Sequence, residues 1–597
     1  MSTASKRAYL KVLAGVGTFM RHIKMFRAAL AAFVTVVLTS QSLAVDIFVS
    51  PTGSGEKTGL NWSNALNGSN DGWHIDIKNA ITSAIDGGAE EVNVYLAAGD
   101  YSITNELALS SITIPVKFSG GYVGEADGDL TKSETDTELL RITYKVRHIN
   151  ANTVMKLSIK GIIFRNGSLG NTTKQRGGSL HLKACNTEIE NCKFLTNTSY
   201  SKSQTSSYGG AIFAEGGSIV VSQCVFTGNV AKGGFSTVYG GAMCTLNADL
   251  IVEGCTFSDN YITSSQNALV GGAIAANGKT VIIRNSTFSK NYVYSSQKGK
   301  GSSREVGGSI AVRSALRFEM SDCVLENNLA YLGNSTSTKS GFYIDDVNSI
   351  DGMMTSVVTR CVFNSASLGK SYGNSKSDIL LNGGCLFMTN CVIIGSLTAT
   401  DATMTNAIRV ARVVDSKFPA LTTSSYTPIE ISKMELVNCT IADGKGAGAV
   451  RIGTDCDMVL KNCIVSGNTA AGVINATSIE HSYIQKNVDD GSWNYEGTEK
   501  GNLNPNVVGD INWTGAPYYH LLTKKADGAI TNGWFSGTFK SPKTAADSPC
   551  IDAGAPGSLG LNLEPDPHGR RVNIGAYGGT PWASKTSLLP GFKLIIR

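Results

Sequence analysis

The best local candidates for acid–base chemistry are Asp345 and Asp346, with Asp351 close behind. Hydrolysis of a glycosidic bond needs two carboxyl groups on one groove, one protonated and one ionised. Neighbours on a strand point to opposite faces, so Asp345 and Asp346 could share a groove only where the segment turns. Arg409, Arg412 and Arg451 are candidate bases further along the chain. None of the seven histidines stands in a recognisable glycosidase signature, and His181, His481 and His520 sit in strand-like contexts that place them on the surface of a coil. The cysteines number thirteen, which in an exported chain raises disulfides or metal binding.

Whatever carries these residues is an array. Gly209-Gly210-Ala211-Ile212 leads through Val221-Ser222-Gln223-Cys224-Val225-Phe226 to Asn229, and Gly240-Gly241-Ala242-Met243 leads through Val252-Glu253-Gly254-Cys255-Thr256-Phe257 to Asn260. The same pattern recurs around Cys192, Ser286, Cys323, Cys361, Cys391, Cys439, Cys463 and Ser482, at spacings of 32, 31, 31, 37, 38, 30, 48, 24 and 19 residues. Such a period marks a solenoid, whose units bury their apolar faces only by stacking. Cys and Phe flank one polar residue, the period of two of a strand with one buried face. Before the Cys slot stand polar pairs such as Glu190-Asn191, Ser222-Gln223, Arg284-Asn285, Thr389-Asn390 and Lys461-Asn462. Asn accepts left-handed backbone angles, so these pairs predict a tight corner at the same place in every coil. Three faces per turn describe an all-β parallel β-helix of roughly twelve coils, about 60 Å long at 4.8 Å per coil.

The Gly-Gly-Ala-Ile and Phe-x-x-Asn pair resembles the repeats of polymorphic outer-membrane proteins and of right-handed β-helix proteins of the pectate-lyase-like superfamily, over roughly residues 160 to 490. The resemblance implies a right-handed coil. For function it implies little, because that superfamily holds lyases, hydrolases and adhesins. Its polysaccharide lyases use a Lys or Arg base, often with calcium held by acids, and its hydrolases use clustered carboxylates. A lyase reading would therefore assign Arg409 or Arg451 as base and admit Ca2+; otherwise no cofactor is expected.

The slot holds eight cysteines and, at Ser286 and Ser482, serine, so it selects a small side chain. Stacked cysteines lie within disulfide reach, but their parallel Cβ vectors fit the required dihedral poorly, and buried free thiols are expected. No histidines accompany the ladder, and no metal site is expected.

Residues 1–44 carry six cations, no acid, an apolar run from Ala28 to Leu38 and Ser42-Leu43-Ala44, the pattern of a secretory signal peptide, with Met25 an alternative start. Without those cations the formal charge of +5 becomes −1, which leaves no basic surplus for nucleic acid. No membrane-spanning segment is expected in the mature chain. The organisation expected is a cap over 45–91, with a helical face from Asp76 to Ile85, a β-helix over 92–525, and a C-terminal cap and tail over 526–597. The last part resembles the closing segment of bacterial β-helix surface proteins in Ser548-Pro549-Cys550-Ile551-Asp552-Ala553-Gly554 and in the run from Asp566 to Tyr577. It departs from them in having Asn573 for Asp and Gly578 for Glu, which leaves any role of those acids without support.

The segments between Phe-x-x-Asn and the next Gly-Gly vary in length, and function on a solenoid sits on such segments. From Arg165 to Lys339 they carry nine cations and one acid, Glu305. Lys202, Lys298, Lys300 and Arg304, together with Tyr208, Tyr239, Tyr261, Tyr292 and Tyr294, would form a basic aromatic strip. Sugar rings would lie on the aromatics, and carboxylates or sulfates would face the cations. The competing account is solvated loops whose tyrosines shield the core. The expectation is an exported cell-surface or secreted protein binding a polysaccharide or surface glycan. The alternatives are a lyase or hydrolase of acidic polysaccharide, and a structural rod.

Overall fold

The computed structural model describes residues 43–585 with interruptions, the longest at 365–376, 395–405, 411–431 and 486–500. Ala44–Ser50 pairs in parallel with Glu91–Ala97, which pairs with Leu107–Tyr122, then Ile149–Lys160, Leu180–Glu190 and Ile212–Ser222. Each partner lies one coil further along. These strands open a first sheet of 23 strands; from Met243 onward each coil contributes two shorter strands to it, Met243–Leu246 and Asp249–Glu253 being the first such pair. A second sheet of 13 parallel strands runs from Gly99–Ile103 to Tyr483–Ile484 and spans roughly 58 Å at the strand spacing of about 4.8 Å. The protein is a parallel β-helix.

Its main core lies between these two sheets. Phe194, Phe226, Phe257 and Phe288 stack with ring centroids 4.6–4.8 Å apart, each fully buried. Each such ring contributes about 1.5–3 kcal/mol by burial, with offset stacking added. The corners are as the polar pairs require: Asn191, Gln223, Asn285, Asn390, Asn438 and Asn462 have φ of 52°, 53°, 48°, 55°, 51° and 54°. Gly161 and Gly254 take the same position with φ of 66° and 62°.

The corner explains the slot that follows it. The Cys192 N–H leaves the strand ladder and donates to Cys224 Sγ at 3.3 Å, and Cys224 N–H donates to Cys255 Sγ at 3.4 Å. Cys255 N–H donates to Ser286 Oγ at 3.1 Å, and Cys463 N–H to Ser482 Oγ at 2.9 Å. Each thiol or hydroxyl in turn donates to the carbonyl two residues earlier, as Cys224 does to Ser222 O at 3.1 Å and Ser286 to Arg284 O at 2.6 Å. The slot therefore demands a small side chain that both accepts and donates. All twelve described cysteines are free thiols, and all but Cys385 are buried. Hydrogen bonds with the neighbouring thiols, with burial added, raise the Cys224 and Cys255 thiols far above the ordinary range.

The three faces expected per coil become more in the middle of the rod. After each Phe-x-x-Asn, strands such as Thr198–Ser201, Val230–Gly233, Tyr261–Ser264 and Tyr292–Ser295 form a third sheet of six strands. Short strands before each Gly-Gly, Ser207–Tyr208, Val238–Tyr239 and Leu269–Val270 among them, form a fourth of five. Ala231, Val238, Ile262, Leu269 and Val293 make a small core between these two sheets. The joining segments are thus a stranded fin on the rod rather than loops alone.

The neck of the fin is built from Asn and Gly. Asn229, Asn260 and Asn291 are fully buried, and each side chain accepts from the backbone and side chain of the Asn one coil earlier at 2.8–3.1 Å. Gly241 has no room for a side chain: a Cβ there would stand 2.0 Å from Gly272 O and 2.7 Å from Tyr261 N. The chain leaving for the fin and the chain returning touch there, backbone to backbone.

At the N-terminal end the helix Trp73–Asp86 buries Trp73, Ile77 and Ile81 on the main core. The C-terminal segment does more than close the last coil. Residues 546–585 run along the outside of the second sheet, where Ala576 and Tyr577 pack on Val362, Val392, Ile394 and Ala442 and Ile574 packs on Ile464 and Tyr483. Asn390 and Asn438 side chains donate to Gly578 O at 2.7 and 2.8 Å, and Asn462 Oδ1 accepts from Ala555 N at 2.7 Å. Ile511, Tyr519 and Leu521, expected within the coils, belong to this flanking layer: Ile511 and Leu521 join the Ile464 cluster and Tyr519 the Val362 cluster.

Candidate functional site

The outer face of the third sheet carries the tyrosines. Register places Thr198, Val230, Tyr261, Tyr292 and Leu329 in one column and Tyr200, Lys232, Thr263, Tyr294 and Tyr331 in the next column of the same face. The inward positions between them, Ser199, Ala231, Ile262 and Val293, are fully buried. Tyr261 and Tyr292 stack with centroids 4.6 Å apart and planes within 4°, while Tyr294 is 38% exposed. The Lys232 ammonium lies 5.2 Å from the centre of the Tyr200 ring.

This geometry changes the expected mode of contact. Rings one coil apart spend their faces on each other, so the stack turns edges and phenol groups outward. A sugar cannot lie flat on Tyr261 or Tyr292 from the side; it meets ring edges and hydroxyls, which donate and accept hydrogen bonds.

Tyr208 and Tyr239 belong elsewhere. They stack at 5.2 Å on the fourth sheet, and Tyr239 is only 3% exposed. Together with Phe213, Cys244, Ala275, Ala311 and Tyr343 they seal the fin onto the outside of the first sheet. Burial pushes the Tyr239 phenol up to about 12. Tyr239 is a packing residue, buried where the expected binding strip would need it exposed. Lys202, Lys298, Lys300 and Arg304 lie outside the described residues.

Of the candidate catalytic residues, Asp346 and Asp351 also lie outside the described residues. Asp345 ends the strand Phe342–Asp345 and pairs in register with Arg313 on one side and Asn382 on the other. Arg409 and Arg451 are direct register partners, in the column that contains Ala311, Tyr343 and Leu380. The fold therefore gathers Asp345, Arg409 and Arg451 onto one sheet within a few coils, although 106 positions separate the first from the last in sequence. Among the described residues no three His, Cys, Asp or Glu groups converge as metal ligands.

One polar cluster was not legible in the sequence. Arg147 bridges Glu106 at 2.8 Å and donates to Arg176 O at 2.7 Å; Arg176 in turn pairs with Glu215 and lies over the Phe213 ring. His181 contacts Asn150 Oδ1 through Nδ1 at 3.1 Å and stacks on Phe213. Burial first, then the neighbouring arginines, push the His181 imidazole down to about 3, so it is neutral in ordinary conditions. Both carboxylates are paired with guanidinium groups, which fits a seam that closes the start of the fin. The only sequence signal was the column itself, since His181 stands one coil from Asn150 and from Phe213. His520, expected on a coil surface, is fully buried with its ring 3.8 Å from that of Tyr577, because the C-terminal layer covers it.

A parallel β-helix with a tyrosine-edged fin is the class that fold and site define. The chain matches no protein-family model and no curated protein. Among solved structures it is similar to pectate lyase Pel9A, at 10% identity over 89% of this chain and 95% of that one, with a TM-score of 0.30. The catalytic domain of a GH87 alpha-1,3-glucanase shares 10% identity over 68% of this chain and 66% of its own, with a TM-score of 0.29. The PL6 family alginate lyase AlyGC shares 9% over 74% and 84%, with a TM-score of 0.17. Likeness at this level carries no argument about activity.

Proposed function

We propose that this is an exported protein, secreted or held at the cell surface, that binds an acidic glycan along the outer face of its fin. The observation that supports the reading is the solvent-facing tyrosine column, Tyr261 and Tyr292 with Tyr294 and Lys232 beside it. Phenols in two successive coils, about 4.8 Å apart, with Tyr294 beside the second, suit an extended ligand lying along the rod. Export rests on the leader pattern of residues 1–44, which lie outside the described residues apart from Leu43 and Ala44. No described helix is long and apolar enough to cross a membrane.

The test is co-sedimentation of the mature chain from Val45 with a panel of acidic polysaccharides. Tyr261→Phe with Tyr292→Phe keeps both rings and removes both hydroxyls, and Tyr294→Ala removes the most exposed ring. Each change is expected to weaken binding at least tenfold, about 1.4 kcal/mol. Binding that survives all three changes would remove this face from the function.

The register of Arg409 with Arg451, two and three strands from Asp345 on the same sheet, supports a second reading as a lyase of acidic polysaccharide. Release of unsaturated ends from any of the same polymers, with or without calcium, and its loss in Arg409→Ala and Arg451→Ala, would establish that reading.

A further inference from the structure

One buried carboxyl group gathers the part of the C-terminal layer that docks on the rod. Glu564 is 5% exposed, and its Oε1 accepts the backbone N–H of both Asn573, at 2.8 Å, and Gly579, at 2.6 Å. Those two amides bracket Ala576, Tyr577 and Gly578, the segment that docks on the second sheet through Asn390, Asn438 and the Thr440 hydroxyl. Among the described residues no cation pairs with Glu564, and its Oε2 is buried with no hydrogen-bond partner. An ionised carboxylate held this way would have two N–H donors on one oxygen and none on the other against its lost hydration.

We propose that Glu564 is a proton-operated latch: the protonated acid holds residues 573–579 against the flank of the rod, and its ionisation releases them. Release would expose the apolar strip of Val362, Val392, Ile394 and Ala442 that the layer covers.

The charged and titratable groups that act on Glu564 are Asp552, which opposes ionisation, and His568, which favours it. Desolvation outweighs both, together with the two backbone donors, and raises the carboxyl from 4.5 to about 7. An acid whose folded pKa is raised stabilises the docked state fully below its free value and loses that contribution as pH climbs through the folded value. The window is thus pH 4.5 to 7, and the docking equilibrium should fall on the order of a hundredfold across it.

Hydrogen–deuterium exchange of the full mature chain reads this directly. Exchange of peptides covering 573–584 is divided by that of core peptides covering 212–229, which cancels the chemical pH dependence of exchange. The ratio is expected to rise on the order of a hundredfold between pH 5 and pH 8 in the wild type and to stay flat in Glu564→Gln. A flat wild-type ratio overturns the latch whether or not the variant folds. A rise of the same size in Glu564→Gln also overturns it, by assigning the pH response to another group.

Discussion

Removing the Asn260 side chain tests the neck of the fin. Asn260 Oδ1 accepts the backbone N–H and the amide of Asn229, at 3.0 and 2.8 Å, and its Nδ2 donates to Phe226 O and Asn291 Oδ1, each at 2.9 Å. Asn260→Ala deletes four bonds at a fully buried site. At about 1 kcal/mol net each, with a further 1–3 kcal/mol for the stranded Asn229 N–H, the loss should be roughly 5–7 kcal/mol. Because solenoids lose cooperativity when one coil weakens, a second transition should separate in urea denaturation followed by circular dichroism. Faster exchange at the Asn229 and Tyr261 amides should accompany it. A loss below about 1 kcal/mol with one unchanged transition would refute the reasoning, because it would mean that water reaches the neck and replaces the amide.

The slot predicts that Cys255→Ser stays within about 1 kcal/mol of wild type while Cys255→Val, which cannot accept from Cys224 N–H, costs about 2–4 kcal/mol in the same denaturation. A thiol reagent should leave the eleven buried cysteines among the described residues unmodified in the native chain and reach all thirteen after denaturation. Gly241→Ala should fail to form the neck, seen as loss of exchange protection at Gly241 and Tyr261, because even a methyl group would overlap Gly272 O.

The parts of this fold that could be read in the sequence were those repeated rung by rung. Cys, Phe and the corner Asn recur at one spacing because each must meet its own copy one coil away. Gly-Gly and the Asn of Phe-x-x-Asn were visible as motifs without a visible reason, since their partners are backbone atoms of another coil. The fin strands read as loops in the sequence because Tyr261-Ile262-Thr263 and Tyr292-Val293-Tyr294 alternate over only three residues, too few to distinguish a strand from polar linker. Tyr208 and Tyr239 looked like equals of Tyr261 and Tyr292, and only the packing of the fin on Phe213 separates buried from exposed. The Glu106, Arg147, Arg176 and Glu215 pairs join positions 29 to 41 residues apart, with no repeated motif to announce them.

The ladder of slot hydrogen bonds also bears on how such a chain changes over generations. From Cys192 through Cys224 to Cys255 each rung donates its N–H to the slot atom of the next coil in the same way, so it does not register how many rungs precede it. The last rung differs: Ser482 N–H finds its acceptor in Asn502 Oδ1 at 2.9 Å. Duplication or deletion of one whole unit in the middle, 224–254 for instance, leaves every junction chemically alike. Length is therefore inherited in steps of one coil, about 4.8 Å each, and a lineage can lengthen or shorten the rod without redesigning either end.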